Sequence, residues 1–98
     1  MSLYIAQVEL PSYFSQEFTS LIPDQHTKLN ELMRQQKILS YTLNSARTKM
    51  WIVIAEKNIE QARLILSQLP LDKFYTYQLE MVMLHETSMN QLPMVSLN

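Results

Sequence analysis

Two histidines, His26 and His85, are the side chains of this sequence best suited to move a proton at neutral pH, since imidazole as a residue type titrates near pH ~6.5. His26 stands three residues past Pro23 in "LIPDQHTKLNELMRQQK". On a helix turning about 100° per residue, it falls roughly 40° from Ile22 and 60° from Leu29, at the edge of an apolar stripe. A histidine there is either a base facing an enclosed space or a ring bonded to the backbone at the margin of the stripe. His85 precedes Glu86, a pair that could orient a ring or bind a metal. Without a third defined ligand this does not specify zinc, and a solvated strand end is the plainer reading.

Tyr41, Trp51 and Tyr77 fall on strand-like segments. They could line a ligand pocket with a polar tip, although as core or interface residues they need no further role. Glu80 is the candidate carboxylate if it is buried, because burial would raise its pKa toward a useful range; a solvated strand position is the alternative. Arg34 and Arg47 could each hold a substrate carboxylate, or simply be solvated. Met81 and Met83 read as gap fillers of an apolar interface. No Ser-His-Asp arrangement stands out.

Composition removes other chemistries. There is no cysteine, hence no thiolate nucleophile, thiolate metal site or disulfide. There is no glycine either, which excludes the phosphate-cradling loops whose backbone must approach an anion closely. Eight basic residues against nine acidic ones leave no electrostatic footprint for nucleic acid or an anionic membrane surface. No stretch reaches the roughly 20 apolar residues that span a bilayer. "MSLYIAQVELPSY" reads as a first strand, with no leading positive charge to make it a signal peptide. The expectation is a soluble, cytoplasmic protein with neither nucleic-acid nor membrane partner, and no cofactor is implied.

These residues must be positioned by a small set of elements. "SLYIAQVEL" (2–10) is apolar on both faces, as a strand covered on both sides would be. Apolar positions Ile22, Leu29, Leu32 and Met33 recur at helical spacing over 21–36. Pro23 falls in the first turn if Ser20 is the N-cap; if the helix begins near Ser15 instead, Pro23 lies inside it as a kink. "ILSYTL" (38–43) and "KMWIVIAE" (49–56) are β-branched and aromatic strands. "NSART" is their hairpin loop, with Asn44 expected in the left-handed conformation. "NIEQARLILSQLP" is a second helix capped by Asn58, with Ile59, Ala62, Leu66 and Leu69 inward. "KFYTYQLEMVMLHE" (73–86) reads as a last long strand. Residues 1–86 thus form one domain, and 87–98 a tail expected to cross onto a partner subunit.

The order β-α-β-β-α-β predicts a ferredoxin-like α+β fold, a four-stranded antiparallel sheet with both helices on one face. The aromatic and methionine content of the strands is too high for a solvated second face, so two sheets packed face to face, a homodimer, are expected. A chain of 98 residues buries only roughly 60–65% of its unfolded surface, and oligomerisation is one common remedy.

With this order, "IPDQHTKLNELMRQQKIL" on the first helix and "LPLDKFYTYQLEMVML" at the last strand, the sequence resembles the dimeric α+β-barrel superfamily. The resemblance is to muconolactone isomerase-like proteins and their YCII-related relatives, over about residues 3–86. Gln36 and Lys37 stand where relatives carry glycine, and His26 lies one residue later after the proline than in relatives. The resemblance implies a homodimer with a small-molecule pocket. It also implies cofactor-free acid–base isomerisation of a small, lactone-like compound; residue type and position make His26 the candidate catalytic base and Tyr41, Trp51, Tyr77 and Glu80 the candidate ligand neighbours. The alternative is a non-catalytic dimeric ligand-binding or interaction domain.

Overall fold

The computed structural model describes residues 1–86. Strand β1 (Ser2–Glu9), helix α1 (Gln16–Arg34), strands β2 (Ile38–Leu43) and β3 (Lys49–Glu56), helix α2 (Ile59–Ser67) and strand β4 (Thr76–Val82) follow in that order. The four strands form one sheet, β2-β3-β1-β4, antiparallel at each pairing. Each helix bridges two strands that leave a gap for a third, which is the split-βαβ topology, and the fold is ferredoxin-like. Tyr4, Ala6 and Val8 of β1 and Ile52 and Ile54 of β3 form one core with Leu29 and Leu32 of α1 and Ala62, Ile65 and Leu66 of α2. Both helices therefore cover the same face, as right-handed crossovers require.

Helix α1 starts earlier than the apolar spacing suggests. Its N-cap is Ser15, whose hydroxyl accepts from the Phe18 N–H at 3.1 Å, so Pro23 lies inside the helix. Proline has no N–H to give the Thr19 carbonyl, and an interior proline costs about 3 kcal/mol. The turns before it are held by other means. Phe18 is buried, stacks on Phe14 at 4.2 Å between centroids and meets the edge of Phe74 at 5.3 Å. Burying one such ring contributes about 2–3 kcal/mol and the serine cap about 1 kcal/mol, enough to carry the helix through the proline.

The other end of α1 solves a problem created by the absence of glycine. Lys37 N–H donates to the Leu32 carbonyl and Gln36 N–H to that of Met33, both at 3.0 Å. This is the Schellman pairing, which needs a left-handed residue at Gln36. Gln36 takes it, at φ 60°.

The β2–β3 hairpin also differs from expectation. Arg47, not Asn44, is left-handed (φ 61°). Asn44 is instead the anchor: its Oδ1 accepts from the N–H groups of Thr48 (2.9 Å) and Lys49 (3.0 Å), and its Nδ2 donates to Thr48 Oγ1 (2.9 Å). An asparagine that satisfies the loop with its side chain leaves the positive φ to another residue.

Strand β4 is shorter than 73–86. Asp72–Phe74 form a 3₁₀ turn, with Phe74 N–H on the Leu71 carbonyl at 2.9 Å. The β1–β4 ladder ends at the pair Leu3–Val82, one residue from the start of β1, and residues 83–86 lie beyond it. The tail expectation for 87–98 lies outside the described residues.

Register assigns the faces. Tyr41 pairs with Ile52, Tyr77 with Val8 and Met81 with Tyr4, so all three share the helix-covered face. Trp51 pairs with Gln7 and Glu80 with Ile5, on the opposite face. That second face carries Leu3, Ile5, Trp51, Val53, Ala55 and Val82, with no described element over it. The expected aromatic face is thus split: Trp51 remains on the open side, and the tyrosines belong to the core side. Met81 and Met83 are exposed.

Candidate functional site

A cavity of about 480 Å³ opens under the first half of α1. Helix α1 supplies one wall through Phe18, Ile22 and Leu29, which follow the helical period, with Thr19 and His26 at the margin. The sheet supplies the other wall through Tyr41 and Leu43 of β2 and Met50 of β3. Leu10 and Phe14, between β1 and α1, and Leu71 and Tyr75, from the link between α2 and β4, complete the lining with Gln25. Arg47 reaches the cavity from the hairpin. The size is that of a small-molecule site, and the lining of apolar and aromatic groups with a few polar ones matches how such sites are built.

One polar tie fixes the cavity's geometry. Gln25, only 5% exposed, accepts from the Leu71 N–H through Oε1 at 3.0 Å and donates through Nε2 to the Tyr75 hydroxyl. A backbone N–H can only donate, so it settles which end of the amide is oxygen, and Nε2 must then be the donor toward tyrosine. The Tyr75 oxygen is an acceptor in this pair, and its own proton is left for another acceptor. Burial raises the Tyr75 pKa above the ordinary 10.0, and the nearby Asp72 carboxylate adds to the effect. Tyr75 is therefore a neutral hydrogen-bond donor over the whole physiological range. Desolvation likewise raises Asp72.

The candidate residues separate cleanly. His26 and Tyr41 both line this cavity, and Arg47 joins them. Trp51 and Glu80 lie on the other side of the sheet, and Glu80 is exposed. Tyr77 is on the helix side but outside the cavity lining, packed against the core across β1. Arg34 is exposed in the last turn of α1, and His85 and Glu86 are exposed past the end of β4. The side-chain hydrogen bonds formed by the described residues do not include His26. Among the described residues no three His, Cys, Asp or Glu side chains cluster as metal ligands, and no helix is long and apolar enough to cross a membrane.

Gln25 and Tyr75 are the site residues that sequence reasoning missed. Gln25 sits seven residues after Phe18 and four before Leu29, so helical spacing put it on the inner face; its polarity kept it out of the apolar pattern. Tyr75 falls in a stretch whose composition predicts a strand, where alternation alone assigns no partner. No protein-family model matches the chain, and no curated protein matches it either.

Proposed function

We propose that this protein binds a small, largely apolar molecule between α1 and the sheet. The observation that carries the reading is the composition of the cavity: an apolar interior with a neutral phenol donor at Tyr75, a guanidinium at Arg47 and an imidazole at His26. The test is a ligand-observed NMR screen of aliphatic acids, aromatic acids and lactones on the parent and on Thr19→Trp. Thr19 is exposed at the cavity margin, so a tryptophan there can fill the space while leaving the core intact. Binding to the parent that is lost in the folded variant supports the reading. Equal binding to both places the ligand elsewhere.

A second reading, isomerisation of that ligand by proton transfer, is favoured by His26, which lines the cavity and is engaged in no side-chain hydrogen bond among the described residues. Moving a proton next to a carbonyl takes a positioned base and a polar contact for the developing oxyanion. His26 would be the base, and Arg47 or Tyr75 the contact. His26→Gln would then abolish turnover of a bound lactone while leaving its affinity nearly unchanged; turnover that survives the substitution removes this reading.

The assembly we propose is a homodimer joined through the open sheet faces. Leu3, Ile5, Trp51 and Val82 surround the nearly buried Val53 and Ala55, with Gln7, Gln78 and Glu80 beyond them. An apolar centre with a polar rim is how protein interfaces are arranged. This places the cavity and the interface on opposite sides of the sheet, so the ligand site is complete in one subunit.

A further inference from the structure

The chemistry of the cavity goes further than its size. Among the described residues that line it none is an Asp or Glu, and Arg47 is the only one of them with a permanent charge. The ion pairs among the described residues engage Lys28, Lys37 and Lys73 and not Arg47. The hairpin holds Arg47 in place: its N–H donates to the Asn44 carbonyl at 3.0 Å, and the Asn44 side chain locks the following two residues. Holding a left-handed arginine at a cavity mouth costs backbone energy, and at Arg47 that conformation belongs to the residue whose side chain lines the cavity.

We propose that the cavity selects a hydrophobic monocarboxylate, its apolar body between α1 and the sheet and its carboxylate on Arg47 at the mouth. The inference rests on the cavity being a binding site. The Tyr75 hydroxyl proton, left over once Gln25 has donated to its oxygen, supplies a neutral donor to a ligand oxygen further along the body. An organic cation meets Arg47 with like charge and no carboxylate among the described lining residues, Asp72 standing beside Tyr75 but outside the lining. A neutral ligand of the same shape forgoes the charge-assisted bond that a planar guanidinium makes with a carboxylate. A dianion leaves one charge facing apolar walls, where an unpaired ion is costly.

The experiment compares three probes of one chain length, decanoate, decanol and decyltrimethylammonium, by calorimetric titration below their micellar concentrations at pH 7.5. Because Arg47 is exposed, its pairing with a carboxylate carries the modest strength of a solvent-accessible ion pair, so decanoate should bind about fivefold more tightly than decanol. That preference should shrink in added salt, and decyltrimethylammonium should bind most weakly. Arg47→Gln should bring decanoate to the affinity of decanol and leave decanol where it was; Gln36 demonstrates that glutamine accepts a left-handed position in this fold. Decanol matching decanoate on the parent, or the ammonium probe binding best, overturns the carboxylate assignment and leaves the binding site standing. Binding of none of the three overturns the site itself.

Discussion

Replacing Gln25 with leucine tests whether the cavity is held as described. The side chain is nearly fully buried and makes two bonds, accepting from Leu71 N–H and donating to the Tyr75 hydroxyl. Leucine is similar in size, so no large void is left, and its extra apolar burial returns about 1 kcal/mol. Against that, the Leu71 N–H loses its acceptor inside the protein. A buried donor without a partner costs about 1–3 kcal/mol, and the bond to Tyr75 is worth about 1 kcal/mol. The net expectation is a loss of about 2 kcal/mol, which for a domain of this size lowers Tm by roughly 10 °C. Tyr75→Phe should cost about 1 kcal/mol, since only one bond is lost. The double variant should lose less than the sum of the two, because the bond they share is counted in both. Urea titrations of the four proteins, with unchanged slopes, give these values directly. A Gln25→Leu protein as stable as the parent would mean that α1 is not tied to the Leu71–Tyr75 segment, and the cavity wall would have to be redrawn.

Other outcomes follow from the same structure. Gln36→Gly should stabilise the protein by about 0.5–1 kcal/mol in urea unfolding, because the strain of a left-handed non-glycine residue exceeds the entropy that glycine adds to the unfolded chain. Tyr75, raised above its ordinary value by burial and then by Asp72, is neutral in the fold at pH values where the unfolded chain has begun to ionise. Its stabilising effect is complete below pH 10.0 and is lost as pH rises beyond it. The parent should therefore lose stability above that pH more steeply than Tyr75→Phe, and parallel profiles would refute the burial. Asn44→Ala should destabilise the hairpin by about 1–2 kcal/mol through the loss of its side-chain bonds and weaken any ligand that uses Arg47. Light scattering at low micromolar concentration should give twice the 11.6 kDa chain mass, and Trp51→Glu should give the chain mass alone; a monomeric parent ends the face-to-face dimer.

The order of elements could be read from the sequence because strand composition, the Asn58 cap and helical spacing agree with one another, so local preference and fold point the same way. The start of α1 could not. Pro23 argues for a late start, and what outweighs it is a tertiary cluster of Phe14, Phe18 and Phe74 drawn from opposite ends of the chain. The faces of β3 were equally closed to sequence reading. Met50, Ile52 and Ile54 alternate with Trp51, Val53 and Ala55, both sets apolar, so alternation separates them without saying which meets the helices. His26 and Tyr41 could be singled out as cavity candidates from residue type and spacing. Gln25 and Tyr75 could not, because a part-buried hydrogen bond across 50 residues leaves no periodic trace. Arg47 stood out only as an arginine in a loop; the left-handed turn that brings it to the cavity depends on what Asn44 does with its side chain.

The central claim is that a ligand enters between α1 and the sheet, and methyl-resolved NMR tests it most directly. With the protein labelled at leucine, valine and methionine methyls, titration with decanoate should shift Leu10, Leu29, Leu43 and Met50, which line the cavity. Leu3, Val53 and Val82, on the other side of the sheet, should stay in place. Shifts confined to Leu3, Val53 and Val82, with Leu29 and Met50 unmoved, would put the ligand on the open face and contradict the account.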